Sequence, residues 1–279
     1  MITYKSRFLT RCEVWFEDEP GDTRSADWIL YNQRPNPVPG ARCKYFYTYA
    51  IDLTLNREEL LSRFNEDTAY KVRRARDRDK ITCECCDPSD PAVIDCFEAI
   101  YNPFAALKGL QPLDRARIDS MAAAGGLDLS VAKDSRGNAL VYHANYRDHQ
   151  RATELYLPSL YRQLSDSAAR NAIGRANRYL VWSDMLRYKE QGLKYFDFGG
   201  WYPGTTDQAL LKINEFKRGF GGEVMREYRC EQILTLKGWW VLQVARLLKQ
   251  AKLFPAGSTK PLVDSPSAAV QNPAATASV

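Results

Sequence analysis

Residues 193–223, LKYFDFGGWYPGTTDQALLKINEFKRGFGGE, confine the fold more tightly than any other stretch of the 279-residue chain. The apolar run Tyr195–Phe198 reads as a short buried strand that breaks at Gly199-Gly200. A loop follows, then a predicted helix from about Thr206 to Arg218, then a second break at Gly221-Gly222. At 100° per residue, Leu210, Ile213, Phe216 and Phe220 share one helix face. Lys217 falls on that face, between Leu210 and Ile213, whereas Lys212, Glu215 and Arg218 fall elsewhere. An ammonium turned toward a core is costly unless a partner or a ligand meets it. Asp197, closing the strand, is the nearest partner in sequence.

Elsewhere the chain alternates strand and helix signals. Cys12–Phe16, Trp28–Tyr31 and Lys44–Leu53 are aromatic and β-branched runs separated by Asp18–Asp22 and the proline-rich 34–40. Asn56 reads as an N-cap, and Leu61, Phe64, Thr68, Val72 and Ala75 have the spacing of one helix. A strand at Ile81–Cys86 leads to helices near Pro91 and over Leu113–Ala124. Strands Leu127–Lys133, Ala139–Arg147 and Thr153–Leu160 follow, the first two joined by a hairpin turn at Asp134–Asn138. A long helix over Asp166–Gln191, the strand and helix above, and a strand over Val224–Leu236 complete the order. That order predicts an α/β (α+β) sheet fold with a β-rich N-terminal extension.

The motif Phe196-Asp197-Phe198-Gly199-Gly200, followed by Phe216-Lys217-x-x-Phe220-Gly221-Gly222, resembles the signature of FemAB-type transferases. Those are GNAT-fold enzymes that join aminoacyl or acyl groups to amines of cell-envelope precursors. Val72-Arg73-Arg74-Ala75 is similar to the Ile-Arg-Lys-Ala segment of the same proteins, without the glycine that usually precedes the next strand. The likeness spans about Ile51 to Leu236. It implies a GNAT-like mixed, largely antiparallel sheet flanked by helices over 81–236, after a truncated half in 1–80. It also implies catalytic roles for Lys217 and Asp197. The known two-domain members carry a complete extra domain, and some a helical arm that meets tRNA; neither is apparent here.

Acyl transfer to an amine needs a donor slot, a route for the amine proton and donors for the oxyanion. In GNAT proteins the donor lies against the fourth strand, here Glu154–Leu160, with phosphates at the next helix N-terminus. The residues placed at substrate or donor by this reading are Tyr156, Arg162, Ser165, Ser167 and Trp201, with Arg73 and Arg74 as anion binders. Serines at 165 and 167 replace the glycines of the coenzyme A turn, and Asp166 sets a negative charge there. The donor is therefore open between acyl-CoA and aminoacyl-tRNA, with no metal. His143 reads as structural rather than as a base.

A net charge of +5 suits an anionic substrate or a membrane surface but lacks the aromatic interleaving of a nucleic-acid binder. No leader-like or bilayer-length apolar run is visible, so a cytoplasmic protein is expected. Its seven cysteines are then expected to be reduced. Residues 237–254 form an amphipathic helix candidate that either docks on the protein's own sheet or meets the inner membrane face peripherally. Residues 255–279, rich in Ala, Ser, Pro and Thr, read as disordered. The expected function is a FemAB-like N-acyl, N-acetyl or aminoacyl transfer to a peptidoglycan or polysaccharide precursor. The alternatives are an inactive GNAT-like module holding an anionic partner, or an acyltransferase of small-metabolite biosynthesis.

Overall fold

The N-terminal residues form four strands, β1 (Ile2–Ser6), β2 (Leu9–Trp15), β3 (Trp28–Arg34) and β4 (Arg42–Asp52); burial alternates along β1, while β2 and β4 carry continuously buried runs toward their ends. The computed structural model describes residues 1–253; the side chains of 162, 163, 245, 246 and 248–253 lie outside that description. The tail expected to be disordered, 255–279, also lies outside the described residues. β1 is a strand that the sequence reading missed, since five residues give little room for a pattern.

The helix expected from Asn56 onward is two helices, α1 (Arg57–Ser62) and α2 (Glu66–Asp77). Asn56 and Glu59 close a capping box on α1, and the Asn65 side chain then accepts from Thr68 N–H to start α2. Two residues fit to cap, nine apart, break a periodicity that otherwise runs through. β5 (Thr82–Cys86), α3 (Pro91–Leu107), α4 (Arg115–Ala123), β6 (Leu127–Lys133) and β7 (Ala139–Arg147) follow as expected. β8 (Arg151–Tyr156) starts earlier and stops sooner than its apolar run, before Pro158. α5 (Ser167–Glu190), β9 (Tyr195–Gly200), α6 (Gln208–Arg218), β10 (Glu223–Ile233) and α7 (Leu236–Leu253) complete the chain. Met1–Trp239 forms one compact unit, and Trp240–Val279 is a second.

Among the described residues, ten strands join one sheet in the order β1-β2-β3-β10-β4-β9-β8-β7-β6-β5. Only β2 with β3 and β8 with β9 are parallel, so the sheet is mixed and largely antiparallel. Strands from residues 1–80 and 81–236 thus share one sheet, with β10 between β3 and β4. On one face α1, α2 and α5 bury Leu60, Val72, Val181 and Trp182 against Tyr49, Ile51, Phe196 and Phe198. On the other, α3 and α4 bury Phe97, Ile118 and Met121 against Leu127, Leu129, Tyr146 and Trp15.

One correction concerns the thiols. Cys43 and Cys230 stand directly opposite each other on β4 and β10 and form a disulfide, 187 residues apart in sequence. The reduced thiols expected from an odd cysteine count without a leader-like run are overturned at this pair, which the strand register alone makes neighbours. Cys83, Cys85 and Cys86 on β5 are free thiols, and among the described residues no group of His, Cys, Asp and Glu is arranged to hold a metal. Among the described residues, no helix is long and apolar enough to cross a membrane.

Candidate active site

The site forms where β8 and β9 stop pairing. Their parallel ladder covers only Arg151–Thr153 against Tyr195–Asp197, although β8 runs on to Tyr156 and β9 to Gly200. An irregularity on β8 leaves one extra residue between Glu154, opposite Asn145, and Tyr156, opposite Ala144. The extra residue turns both Leu155 and Tyr156 toward the α3–α4 face, where they pack on the core. A cavity of about 190 Å³ opens here, lined by Thr153, Glu154, Leu155, Gly199 and Gly200, with Gln33 and Arg117 among its other walls.

Lys217 is buried, as the helical wheel anticipated, and its Nζ donates to Gly200 O at 2.5 Å and Gly199 O at 3.3 Å. Phe216 and Phe220 also pack on the core as the wheel anticipated, but its first half does not. Leu210 and Ile213 are 39% and 48% exposed, and α6 instead buries Asn214 with Lys217. Asn214 binds both the N–H and the carbonyl of Tyr202, pinning the loop that leads into the helix. That bonding need, invisible to a hydrophobic pattern, sets which side of α6 faces in. Gly221 is held at φ +72°, and a Cβ there would lie 2.3 Å from the Arg63 carbonyl oxygen, so the second glycine break lets α6 close against α1.

Asp197 does not bond to Lys217. Strand neighbours face opposite ways: Phe198 packs with Phe216 and Phe220 on the α6 side, and Asp197 faces the other. There its carboxylate accepts from Arg151, from Thr48 Oγ1, from Gln33 Nε2 at 2.6 Å and from Gly199 N–H at 2.6 Å. Arg151 also donates to Glu227 at 2.5 Å, while burial pushes the Glu227 carboxyl up against that guanidinium. Gly199 has φ +67°, so Asp197 holds the backbone turn whose carbonyl Lys217 grips.

Glu154, which the sequence reading left without a role, lies at the gap instead. Its side chain is buried, and Oε1 has no hydrogen-bond partner. Burial pushes its pKa up to about 7, with the His143 and Lys217 charges pulling the other way. The Lys217 ammonium is in turn held below its ordinary value by burial, opposed by Glu154 and Asp197. A carboxylate in the middle of an apolar strand run was the available signal for Glu154. A buried acid near neutrality beside a cation is a pairing suited to proton transfer.

Across Arg117 and Arg229 the gap adjoins a second cavity of about 800 Å³. Its walls carry Lys5, Arg7, Arg11, Arg115, Arg117 and Arg229 against the carboxylates of Glu13 and Asp114. Arg117 is matched by Glu13 at 2.7 Å, and Arg115 by Asp95 and Asp119. Among the described residues, Lys5, Arg7, Arg11 and Arg229 have no carboxylate within ion-pair distance, and Arg11 Nε and Trp28 Nε1 are buried without a partner. This wall draws on β1, β2, α4 and β10, so no sequence window contains it.

The remaining sequence-predicted residues scatter. Tyr156 lines the large cavity, its hydroxyl accepting from Arg117 at 2.6 Å. Trp201 stacks on Tyr49 at 4.9 Å under Arg218 and lines neither cavity. Arg73 is exposed on α2, and Arg74 bonds Tyr70 and pairs with Asp79; neither lines either cavity. Ser165 and Ser167 are exposed at the start of α5, where Asp166 accepts from Ala168 N–H at 3.3 Å and Ala169 N–H at 2.8 Å. A carboxylate thus already holds the helix N-terminus. Arg162 sits on the short 3-10 turn Leu160–Gln163, and its side chain lies outside the described residues.

No protein-family model and no curated protein sequence matches the chain. Among solved structures, FemX superposes with a TM-score of 0.60 at 15% identity, over 87% of this chain and 85% of that one. The C-terminal domain of a candidate lysylphosphatidylglycerol synthetase from Agrobacterium fabrum superposes with a TM-score of 0.50 at 17% identity, over 80% and 73%. The chain therefore has the GNAT-like fold of FemX, as the resemblance in its motifs implies.

Proposed function

We propose that this chain is an acyl or aminoacyl transferase of envelope biosynthesis whose chemistry takes place in the gap between β8 and β9. One observation carries the reading. Buried Glu154, with an unpartnered oxygen, and buried Lys217, gripping the Gly199 and Gly200 carbonyls, sit at the same strand opening. An acceptor amine that attacks an ester or thioester carbonyl must lose a proton, and Glu154, near 7, is poised to take it. The carbonyl oxygen gains charge in the same step. An ammonium has three protons, and two of those on Lys217 are engaged by backbone carbonyls, leaving one to meet the oxyanion.

The basic cavity supports an acceptor that carries negative charge, such as a phosphate-bearing envelope precursor. A lysylphosphatidylglycerol synthetase, by its name, joins an aminoacyl group to a phosphate-bearing lipid, which agrees with this kind of acceptor. The Asp166 cap on α5 disfavours a coenzyme A diphosphate at that helix end, so an aminoacyl-tRNA ester is the preferred donor. Peripheral membrane contact through α7 belongs to the same reading, since its sequence sets Trp239 and Trp240 beside Arg246, Lys249 and Lys252. The test is thermal stability of the purified protein with aminoacyl-tRNA, acetyl-CoA and longer acyl-CoA thioesters, followed by transfer of a labelled aminoacyl group to phosphate-bearing amine acceptors. A shift with aminoacyl-tRNA, and transfer lost in Glu154→Gln, is expected. A shift with thioesters alone would replace the donor. No shift with any donor and no transfer would return the chain to an inactive binding module.

A further inference from the structure

Behind Glu154, on the α5 side of the sheet, lies a buried polar chain that the transfer reading does not use. His143 on β7 is wholly buried. Its Nδ1 is 2.8 Å from Asp184 Oδ2 and its Nε2 is 2.9 Å from Asn177 Oδ1, both on α5. Asp184 also accepts from Ser130 on β6 at 2.9 Å and from Arg187 at 3.1 Å. With the Asn177 amide in this orientation both ring nitrogens face side-chain oxygens, and a doubly protonated imidazole donates to both. Asn145, two residues along β7 on the same face as His143, is the direct cross-strand partner of Glu154. His143 is then the diagonal neighbour of Glu154, a relation that spans about 7–8 Å between strands.

We propose that His143 is a positioning residue, a permanently charged imidazolium clamped by Asp184 and Asn177, whose fixed charge keeps the buried Glu154 able to ionise at neutral pH. The inference rests on the reading of Glu154 as the proton acceptor in the gap. The charges that act on Glu154 are those of His143 on β7, Lys217 on α6, Asp184 on α5 and Asp197 on β9. Two of these are cations and two are carboxylates, but Asp197 is paired with Arg151 and Asp184 with Arg187. Lys217 is weakened as a counter-charge because burial opposes its own ionisation. The imidazolium is the cation whose protonation its neighbours enforce: despite burial, the bond and charge of Asp184 raise its pKa, and the Glu154 charge adds to this. Without His143, a proton would stay on Glu154 well above neutrality and the base would be idle at physiological pH.

The chain has two histidines, and the other, His149, is exposed, so the ring nitrogens are readily resolved by ¹⁵N NMR. The experiment follows both rings and the Glu154 carboxyl, assigned by its loss in Glu154→Gln, from pH 5 to 9. Both His143 nitrogens are expected to carry protons at pH 7. In His143→Gln the Glu154 midpoint is expected to rise by about tenfold or more in proton affinity, as unit charges at this separation predict, with no change in His149→Gln. A neutral His143 ring at pH 7, or an unmoved Glu154 midpoint in folded His143→Gln, would overturn the proposal. The ring measurement needs no substitution and so decides the matter even where the variant does not fold. Failure of the transferase reading looks different: Glu154→Gln would retain transfer while the two NMR titrations behaved as described.

Discussion

Replacing Glu154 by Gln should stabilise the protein at alkaline pH while abolishing transfer. The folded pKa of about 7 stands above the ordinary 4.5, so the native state binds this proton more tightly than the unfolded chain does. The contribution to stability is complete below about 4.5, is lost as pH rises toward about 7, and stays lost above it. The difference, 7 − 4.5 = 2.5 units, corresponds to about 3 kcal/mol. Gln does not titrate, so the variant should lack this decline. Whatever the new amide costs by lacking a partner is independent of pH and cancels in the comparison. His143 also has a raised pKa and loses its contribution as pH rises, but it is present in both proteins. Urea unfolding followed by tryptophan fluorescence at half-unit steps from pH 5 to 8 measures the effect. The variant-minus-wild-type stability should grow by about 3 kcal/mol across that range, or about 5–10 °C in melting temperature. Parallel stability curves would show that Glu154 ionises normally, and its assignment as the base would fall with them.

Lys217→Met keeps the apolar stem and removes a buried charge, so stability should hold or rise while transfer is lost; unchanged transfer would remove Lys217 from the chemistry. Arg151→Met leaves Asp197 and Glu227 buried without their shared cation and should cost about 3–5 kcal/mol in calorimetry at pH 7. Its deficit should shrink at low pH, where Glu227 is protonated; a deficit below about 1 kcal/mol at pH 7, the worth of a surface pair, would argue against a buried network. Peptide mapping after alkylation without reductant should find Cys43 linked to Cys230, and dithiothreitol should lower stability by about 2–4 kcal/mol; two alkylated thiols would contradict the cross-strand bond.

Local order was legible because its causes are local. The Asn56 cap lies within one turn of the helix it opens, the Asp134–Asn138 turn closes on its own side chain, and β6 and β7 carry their own apolar runs. Even the burial of Lys217 could be read, since an unbroken helical wheel needs nothing beyond the helix. What each buried group meets could not. Asp197 and Lys217 are twenty residues apart and looked like partners, yet strand alternation sends Asp197 to the opposite face, to Arg151 and Gln33. The extra residue on β8 is one irregular pairing with β7, and it decides that Leu155 and Tyr156 share a face.

By itself, then, the sequence determined the succession of strands and helices, the two glycine breaks and a lysine turned inward, because these depend on spacing within a turn or two of chain. Only the tertiary structure decided that Glu154 meets the gap, that His143 lies behind it, that Cys43 faces Cys230, and that residues 5–11, 115–117 and 229 build one basic cavity. Those relations arise from strand register and from which face of a sheet each helix covers. A shift of one residue in register would invert every one of them while leaving the local patterns untouched.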